Sequence, residues 1–187
     1  MKKRIDFLKV ALKNMKTAGT IVPSSRFLAQ KMLRDINFSS LKLIVELGPG
    51  NGVITQEILK RIQPDSQLVC FEVNPVFYQQ LQQINHPQLT VLHASAVDMV
   101  EALQTLGFSN ACHIISSIPL TLLPKEDAIH ILKNALQLMH PNGTFIQYQY
   151  SLSYYRYLKS VFKEEVSLDF EVLNIPPAFV YRCKKLN

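Results

Sequence analysis

The segment Glu46-Leu-Gly-Pro-Gly-Asn-Gly52 joins an apolar run, Leu43-Ile-Val, to a helical pattern that begins at Val53. Glycines at alternate positions let the backbone turn tightly and approach a ligand with no Cβ in the way. A second carboxylate, Glu72, closes the next apolar run twenty residues beyond Gly52. That interval is where a ribose-binding acid is expected in Rossmann-type folds. A dinucleotide site seats its pyrophosphate on the helix N-terminus and reads G-x-G-x-x-G. Here the spacing is G-x-G-x-G, and Val53 fills the next position. Glu46 would repel a phosphate but suits the ammonium of a methionine moiety. Both departures predict S-adenosylmethionine (SAM) rather than NAD.

Ligands of open α/β sheets lie at the carboxyl ends of the strands, so the residues closing the later apolar runs are the next candidates. The third run closes in His93-Ala-Ser-Ala96. Many methyltransferases carry an Asp here that holds the adenine amine. Ser95 takes its place, and Asp98 either shares that role or serves as an acid favoured at a helix start. The fourth run closes in Ser116-Ser-Ile-Pro-Leu120. Enzymes that methylate the adenine amine read Asn/Asp-Pro-Pro-Tyr or Asn-Ile-Pro-Tyr in this slot, where a side-chain carbonyl holds the amine and the ring stacks on the base. Ser117 replaces the amide and Leu120 the ring, so the motif keeps its shape and loses its nucleobase chemistry.

An aliphatic amine has a pKa of ~10 by analogy with lysine and must lose a proton before attacking a sulfonium methyl. In-line placement of the neutral nitrogen then supplies much of the acceleration. Hydroxyls and carbonyls around Ser116 and Ser117 are expected to orient it. Tyr148, Tyr150, Tyr154 and Tyr155 lie at or just after the fifth apolar run. Tyrosine faces suit an ammonium that keeps its charge while losing donors, although ordinary packing explains any one of them equally well. The expected cofactor-binding set is Glu46, Gly48, Gly50, Gly52, Glu72, Val73, Ser95, Ala96 and Ser116. The expected catalytic set is Ser116, Ser117, Tyr148 and Tyr150. The five histidines show no ligand spacing, and no metal site is expected.

The elements that must position these residues follow from hydrophobic periodicity. Strands are predicted at 41–47, 67–72, 89–93, 111–116 and 144–150, and helices at 53–62, after Pro75, at 97–106 and at 125–139, with Pro141-Asn-Gly143 as a turn. Such alternation means a parallel sheet with right-handed crossovers. After a helix at 153–162, strands at 166–173 and 179–185 have no helix between them and should pair antiparallel. The fold class is α/β: a Rossmann-like, mainly parallel seven-stranded sheet ending in an antiparallel hairpin, with an N-terminal helical arm.

The chain of 187 residues suits one packed domain. Its three cysteines are odd in number and without a C-x-x-C pair, which fits a reducing cytoplasm. No stretch approaches the ~20 apolar residues of a membrane span, and the basic start leads into no continuous apolar core of a signal peptide. Residues 1–34 hold nine Lys/Arg and one acid, so an arm at +8 precedes a body, 35–187, at −2. Residues 2–18 read as an amphipathic helix, with Ile5, Leu8, Leu12 and Met15 on one side and Lys2, Lys9, Lys13 and Lys16 opposite. Gly19 ends it, and Ser24 or Ser25 caps a second helix through about Leu33.

Thr17-Ala-Gly-Thr-Ile-Val-Pro-Ser-Ser-Arg26, Val45–Gly52, Phe71-Glu-Val-Asn-Pro75, Ser116–Leu120, Gln147-Tyr-Gln-Tyr150 and Pro176-Pro-Ala-Phe-Val-Tyr-Arg182 together carry a resemblance that runs nearly end to end. The chain resembles the bacterial phospholipid N-methyltransferases, the soluble phosphatidylethanolamine N-methyltransferases of the Agrobacterium type. The resemblance implies a monomeric, peripheral enzyme on the inner face of the cytoplasmic membrane. It also implies up to three methyl transfers to the head-group amine, and docking of the amphipathic arm on anionic lipid, which the basic arm matches. Ser95 departs from the family's Asp. An rRNA adenine dimethyltransferase shares the fold and glycine motif, and a basic arm serves RNA as well as lipid. Leu120, Ser117 and the lack of a C-terminal RNA-binding domain speak against that alternative. A small-molecule or protein N-methyltransferase is a further alternative, as is a non-catalytic SAM-binding protein.

Overall fold

The computed structural model describes residues 25–163 and 165–185. The amphipathic segment expected at 2–18 lies outside them. The first described element, α1 (Arg26–Leu33), starts at Ser25, whose Oγ accepts from Leu28 N at 3.1 Å. Leu28, Ala29, Met32 and Leu33 recur on one face and are all buried, so tertiary packing rather than propensity holds this short helix.

The sheet has seven strands: β1 (Leu43–Leu47), β2 (Gln67–Phe71), β3 (Leu89–Leu92), β4 (Ala111–Ser116), β5 (Met139–Gln149), β6 (Val166–Glu171) and β7 (Ala178–Lys184). Their order is β3-β2-β1-β4-β5-β7-β6. The first five in that order run parallel, and β7 is antiparallel to both β5 and β6. Between them run α2 (Val53–Leu59), α3 (Pro75–Gln82), α4 (Met99–Thr105), α5 (Lys125–Leu138) and α6 (Tyr155–Val161). Alternation along the strands feeds two cores. Leu43, Val45, Leu47, Ile114 and Phe145 face Met99, Leu103, Ile131, Leu132, Leu158 and Phe162, from α4 to the end of α6. Ile44, Ile115 and Ile146 face Leu28 and Met32 of α1 and Ile54 and Ile58 of α2.

Two details differ from the sequence reading. The turn expected at Pro141–Gly143 is a bulge inside β5, because Met139 already pairs with Ala111 and Thr144 resumes against His113. The helix expected at 97–106 splits into a 3-10 turn, Ala96–Asp98, and α4.

The hairpin β6–β7 seats α1. Asn174, fully buried in the loop between the strands, accepts from Ser25 N at 3.0 Å and donates to Pro176 O at 2.7 Å. At the far end of α1 the Arg182 guanidinium bonds the Lys31 carbonyl. Its Nη1 lies 2.7 Å from Asp169, and its Nε lies 3.0 Å from Asp35 Oδ2. Asn174 and Arg182 thus clamp α1 to the sheet.

Candidate active site

The chain after β1 turns through Gly48, Gly50 and Gly52 at φ of +68°, +58° and +80°. L side chains reach this region only at a cost of roughly 1–2 kcal/mol each. A Cβ on Gly48 would sit 3.0 Å from Ile118 Cγ1, so this glycine lets the β1 and β4 loops meet. A Cβ on Gly50 would meet nothing within 4 Å. Its approach side is open, as a cradle for a ligand requires.

Glu72, following β2, is 3% exposed and spans this turn: Oε2 accepts from Gly50 N at 3.0 Å and Oε1 from Asn74 N at 2.7 Å. Burial raises its pKa against those backbone donors. Asn74 caps α3 through Val76 N, with Pro75 at the first helical position. Val73, beside Glu72, is pinned through its carbonyl, 3.1 Å from His93 Nε2, and that imidazole stacks on Tyr78.

Glu46, near the end of β1, is fully buried. Its Oε2 accepts from Thr55 Oγ1 at 2.7 Å and Cys70 Sγ at 3.5 Å, while Oε1 has no donor among the described residues. Burial pushes its pKa up to about 7. Among the described residues no lysine or arginine pairs with Glu46 or Glu72. An unpaired buried carboxylate costs several kcal/mol, so the pair favours a cationic ligand. SAM, with its ammonium and sulfonium, fits the open cradle and the two acids.

On the neighbouring strands a shallow cleft is lined by Ser95, Ala96, Val97, Ile118, Leu123, Asp127 and Ile131. Ser95 and Ala96 of the expected cofactor set lie in it. Ser95 Oγ accepts from Val97 N at 3.2 Å and so caps the 3-10 turn. Asp98 stands immediately before α4 and makes no side-chain cap. Ser116 is fully buried and its Oγ accepts from Ile118 N at 3.3 Å, while Ser117 Oγ is buried with no partner among the described residues. Leu120 is fully buried in the core.

The expected catalytic residues divide between the faces of the sheet. Ser116 shares a face with Ile114 and Phe145, whereas Tyr148 and Tyr150 pack on the α1 side with Ile146, ring against ring at 5.7 Å. Two further polar side chains stand with Ser116 and were absent from the expected site. Gln147 pairs with Ser116 in register, and its Nε2 donates to Ile118 O at 3.0 Å and Tyr148 O at 2.7 Å. Gln149 Nε2 donates to the same Ile118 carbonyl at 3.0 Å. The alternation in Gln147-Tyr-Gln-Tyr150 held the signal: on a strand it puts the glutamines on one face and the tyrosines on the other.

The strand order, glycine turn and two buried acids define a class I SAM-dependent methyltransferase. The family model for ribosomal RNA adenine dimethylase matches residues 14–120. The chain is also 31% identical over 186 residues to the ornithine lipid N-methyltransferase of Singulisphaera acidiphila, an alignment that takes in 98% of this chain and 97% of that one. It therefore belongs to the family of SAM-dependent methyltransferases that takes in the adenine dimethylases and this lipid enzyme. Among solved structures it is similar to spermidine synthase in complex with the transition-state analogue AdoDATO, at a TM-score of 0.66 and 16% identity over 87% of this chain; it spans only 61% of that one. It is similar, too, to the N-methyltransferase NodS of Bradyrhizobium japonicum bound to S-adenosyl-L-homocysteine, at a TM-score of 0.64 and 10% identity, with 86% and 88% covered.

Proposed function

We propose that this enzyme methylates the primary amine of a membrane-lipid head group, phosphatidylethanolamine or an ornithine lipid, at an anionic membrane surface. The observation that carries this reading is Leu120, buried at the position where an adenine-methylating site presents a ring. A leucine side chain offers no π-face to a base. The lipid N-methyltransferase relative, aligned nearly end to end, points the same way.

SAM when bound supplies a methyl group on a sulfonium sulfur. The chain's residues hold and orient: the Gly48–Gly52 turn admits the ligand backbone-close, Glu72 lies against the cradle, and Glu46 offers a carboxylate oxygen without a donor among the described residues. The acceptor nitrogen must arrive neutral with its lone pair in line, which is a matter of placement and of losing one proton.

A membrane surface is supported by where apolar side chains lie. Antiparallel pairing brings the β6–β7 loop to the edge where β1–β5 end, and there Val172, Leu173 and Ile175 are 63%, 59% and 77% exposed. Phe27 and Leu152 are about half exposed on the same edge. Such a rim is unusual on a surface facing only water. Among the described residues no helix is long and apolar enough to cross a membrane, so contact would be peripheral, with the basic, amphipathic residues 2–18 as its electrostatic half. The expected location is the cytoplasmic face of the membrane, and the expected acting form a monomer.

The rRNA adenine dimethylase match over 14–120 supports a second reading, methylation of an adenine amine in RNA. Incubation with methyl-labelled SAM and separate pools of phosphatidylethanolamine vesicles, ornithine-lipid vesicles, ribosomal RNA and protein distinguishes them. Label in a lipid is the expected result. Label confined to RNA or protein overturns the proposal.

A further inference from the structure

Enzymes that methylate the adenine amine place a side-chain carbonyl at the position of Ser117, where this chain carries a hydroxyl instead. A carbonyl of the required kind stands one strand away. Gln147 is the β5 register partner of Ser116, the residue just before that slot, and is fully buried. The orientation of its amide is fixed. Nε2 faces two carbonyl oxygens, Ile118 O at 3.0 Å and Tyr148 O at 2.7 Å. The flipped amide would set oxygen against oxygen at both contacts. Gln147 Oε1 is therefore held as an acceptor, and among the described residues no donor reaches it. Gln149 shares only the other task, since its Nε2 holds the same Ile118 carbonyl. With two amide donors on it, Ile118 O is itself satisfied.

We infer that Gln147 Oε1 receives an N–H of the acceptor amine, supplying from β5 the side-chain carbonyl that the turn after β4 lacks at position 117. This deepens the proposed lipid amine methylation and rests on it. The ligand chemistry is that of a nitrogen with at least one hydrogen, carried by either head group. One N–H held at Oε1 leaves the lone pair to be aimed at the methyl. Gln149 is a positioning residue, acting on the Ser116–Leu120 turn.

The test compares wild type, Gln147→Met and Gln149→Met, with kcat/KM measured on vesicles of phosphatidylethanolamine and, separately, of ornithine lipid. A quaternary N-trimethyl lipid, which has no N–H, is run as competitive inhibitor, and SAM affinity is measured by calorimetry. Gln147→Met should lower kcat/KM on the preferred amine about tenfold, the cost of leaving one buried N–H without its acceptor. Its inhibition constant for the trimethyl lipid and its SAM affinity should stay within about twofold. Gln149→Met should shift substrate and inhibitor alike. Equal losses for both ligands in Gln147→Met, or no loss, overturn the inference while wild-type turnover leaves the lipid reading standing. A wild type silent on both lipid vesicles removes that reading and the inference with it.

Discussion

Gly50 N donates to Glu72 Oε2 at 3.0 Å, so the acid that ends the second strand holds the glycine turn that follows the first. The same carboxylate takes Asn74 N on its other oxygen. Glu72 therefore fixes the shape of the cradle as well as lying where a ribose is expected. Glu72→Ala should lower SAM affinity by at least tenfold in calorimetry and destabilise the ligand-free fold by about 1–3 kcal/mol, since two backbone donors lose a buried acceptor. Glu72→Gln keeps one acceptor oxygen and should fall between. Unchanged SAM affinity in the alanine variant would remove Glu72 from the cofactor site.

Glu46 makes stability depend on pH. Burial raises its pKa to about 7 from 4.5, so between those values the folded chain keeps a proton that the unfolded chain releases. Its contribution to stability is full below about pH 4.5 and is lost as pH rises through about 7. Glu46→Gln, which has no charge to bury, should gain on wild type over that window, on the order of 3 kcal/mol at its upper end. Melts of both proteins at pH 5, 6, 7 and 8 read the difference. A cationic ligand favours the ionised form, so wild-type SAM affinity should rise across the same window and that of the variant should not.

Much of this was legible in the sequence because short motifs with one physical job announce themselves. Glu46–Gly52 and Glu72 mark strand ends and a glycine turn, and SAM follows from their spacing. The hairpin of β6 and β7 followed from two apolar runs with only Asn174–Pro177 between them. What sequence could not give is pairing across the sheet. That Gln147 sits opposite Ser116 depends on a register shifted by the bulge at Pro141–Gly143, and nothing local to β4 or β5 specifies it. The tyrosines drew the chemical reading because rings suit ammonium ions, yet alternation puts Tyr148 and Tyr150 on the α1 face. The role of Asn174 and Arg182 was equally hidden, because their contacts with Ser25, Lys31 and Asp35 join residues about 150 positions apart.

That clamp makes α1 sensitive to a distant change. Asn174 is fully buried with its Oδ1 on Ser25 N and its Nδ2 on Pro176 O. Asn174→Ala leaves both backbone groups without that partner and should cost about 1–3 kcal/mol. Hydrogen exchange should localise the loss to residues 25–33 and the β6–β7 loop, while β1 to β4 keep their protection. Loss of protection spread evenly over the sheet would contradict a local clamp.

His113 governs the acid side. It is half-buried in β4 with Nδ1 2.6 Å from Thr144 Oγ1, and desolvation pushes its pKa down to about 4 from 6.5. The unfolded chain thus takes up a proton that the folded chain refuses, and stability contributed by the neutral ring is present above about pH 6.5 and lost as pH falls through about 4. His113→Gln should flatten the fall in melting temperature between pH 6.5 and 4 without altering SAM affinity at pH 8. An identical acid limb in both proteins would assign the loss to other groups.

The apolar rim yields the last prediction, because it separates membrane contact from catalysis. Leu173 and Ile175 are 59% and 77% exposed and belong to the loop, not the cofactor cradle. Burying most of one such side chain in an interface is worth about 1–2 kcal/mol, and a carboxylate in its place is repelled by an anionic surface. The double variant Leu173→Glu, Ile175→Glu should therefore bind vesicles containing anionic lipid at least tenfold more weakly in a sedimentation assay. SAM affinity and melting temperature should stay near wild type, since neither side chain is packed. Turnover of a short-chain, monomeric amino-lipid should survive as well, because that substrate reaches the site without a surface. Undiminished vesicle binding would leave residues 1–24 to carry the membrane contact alone.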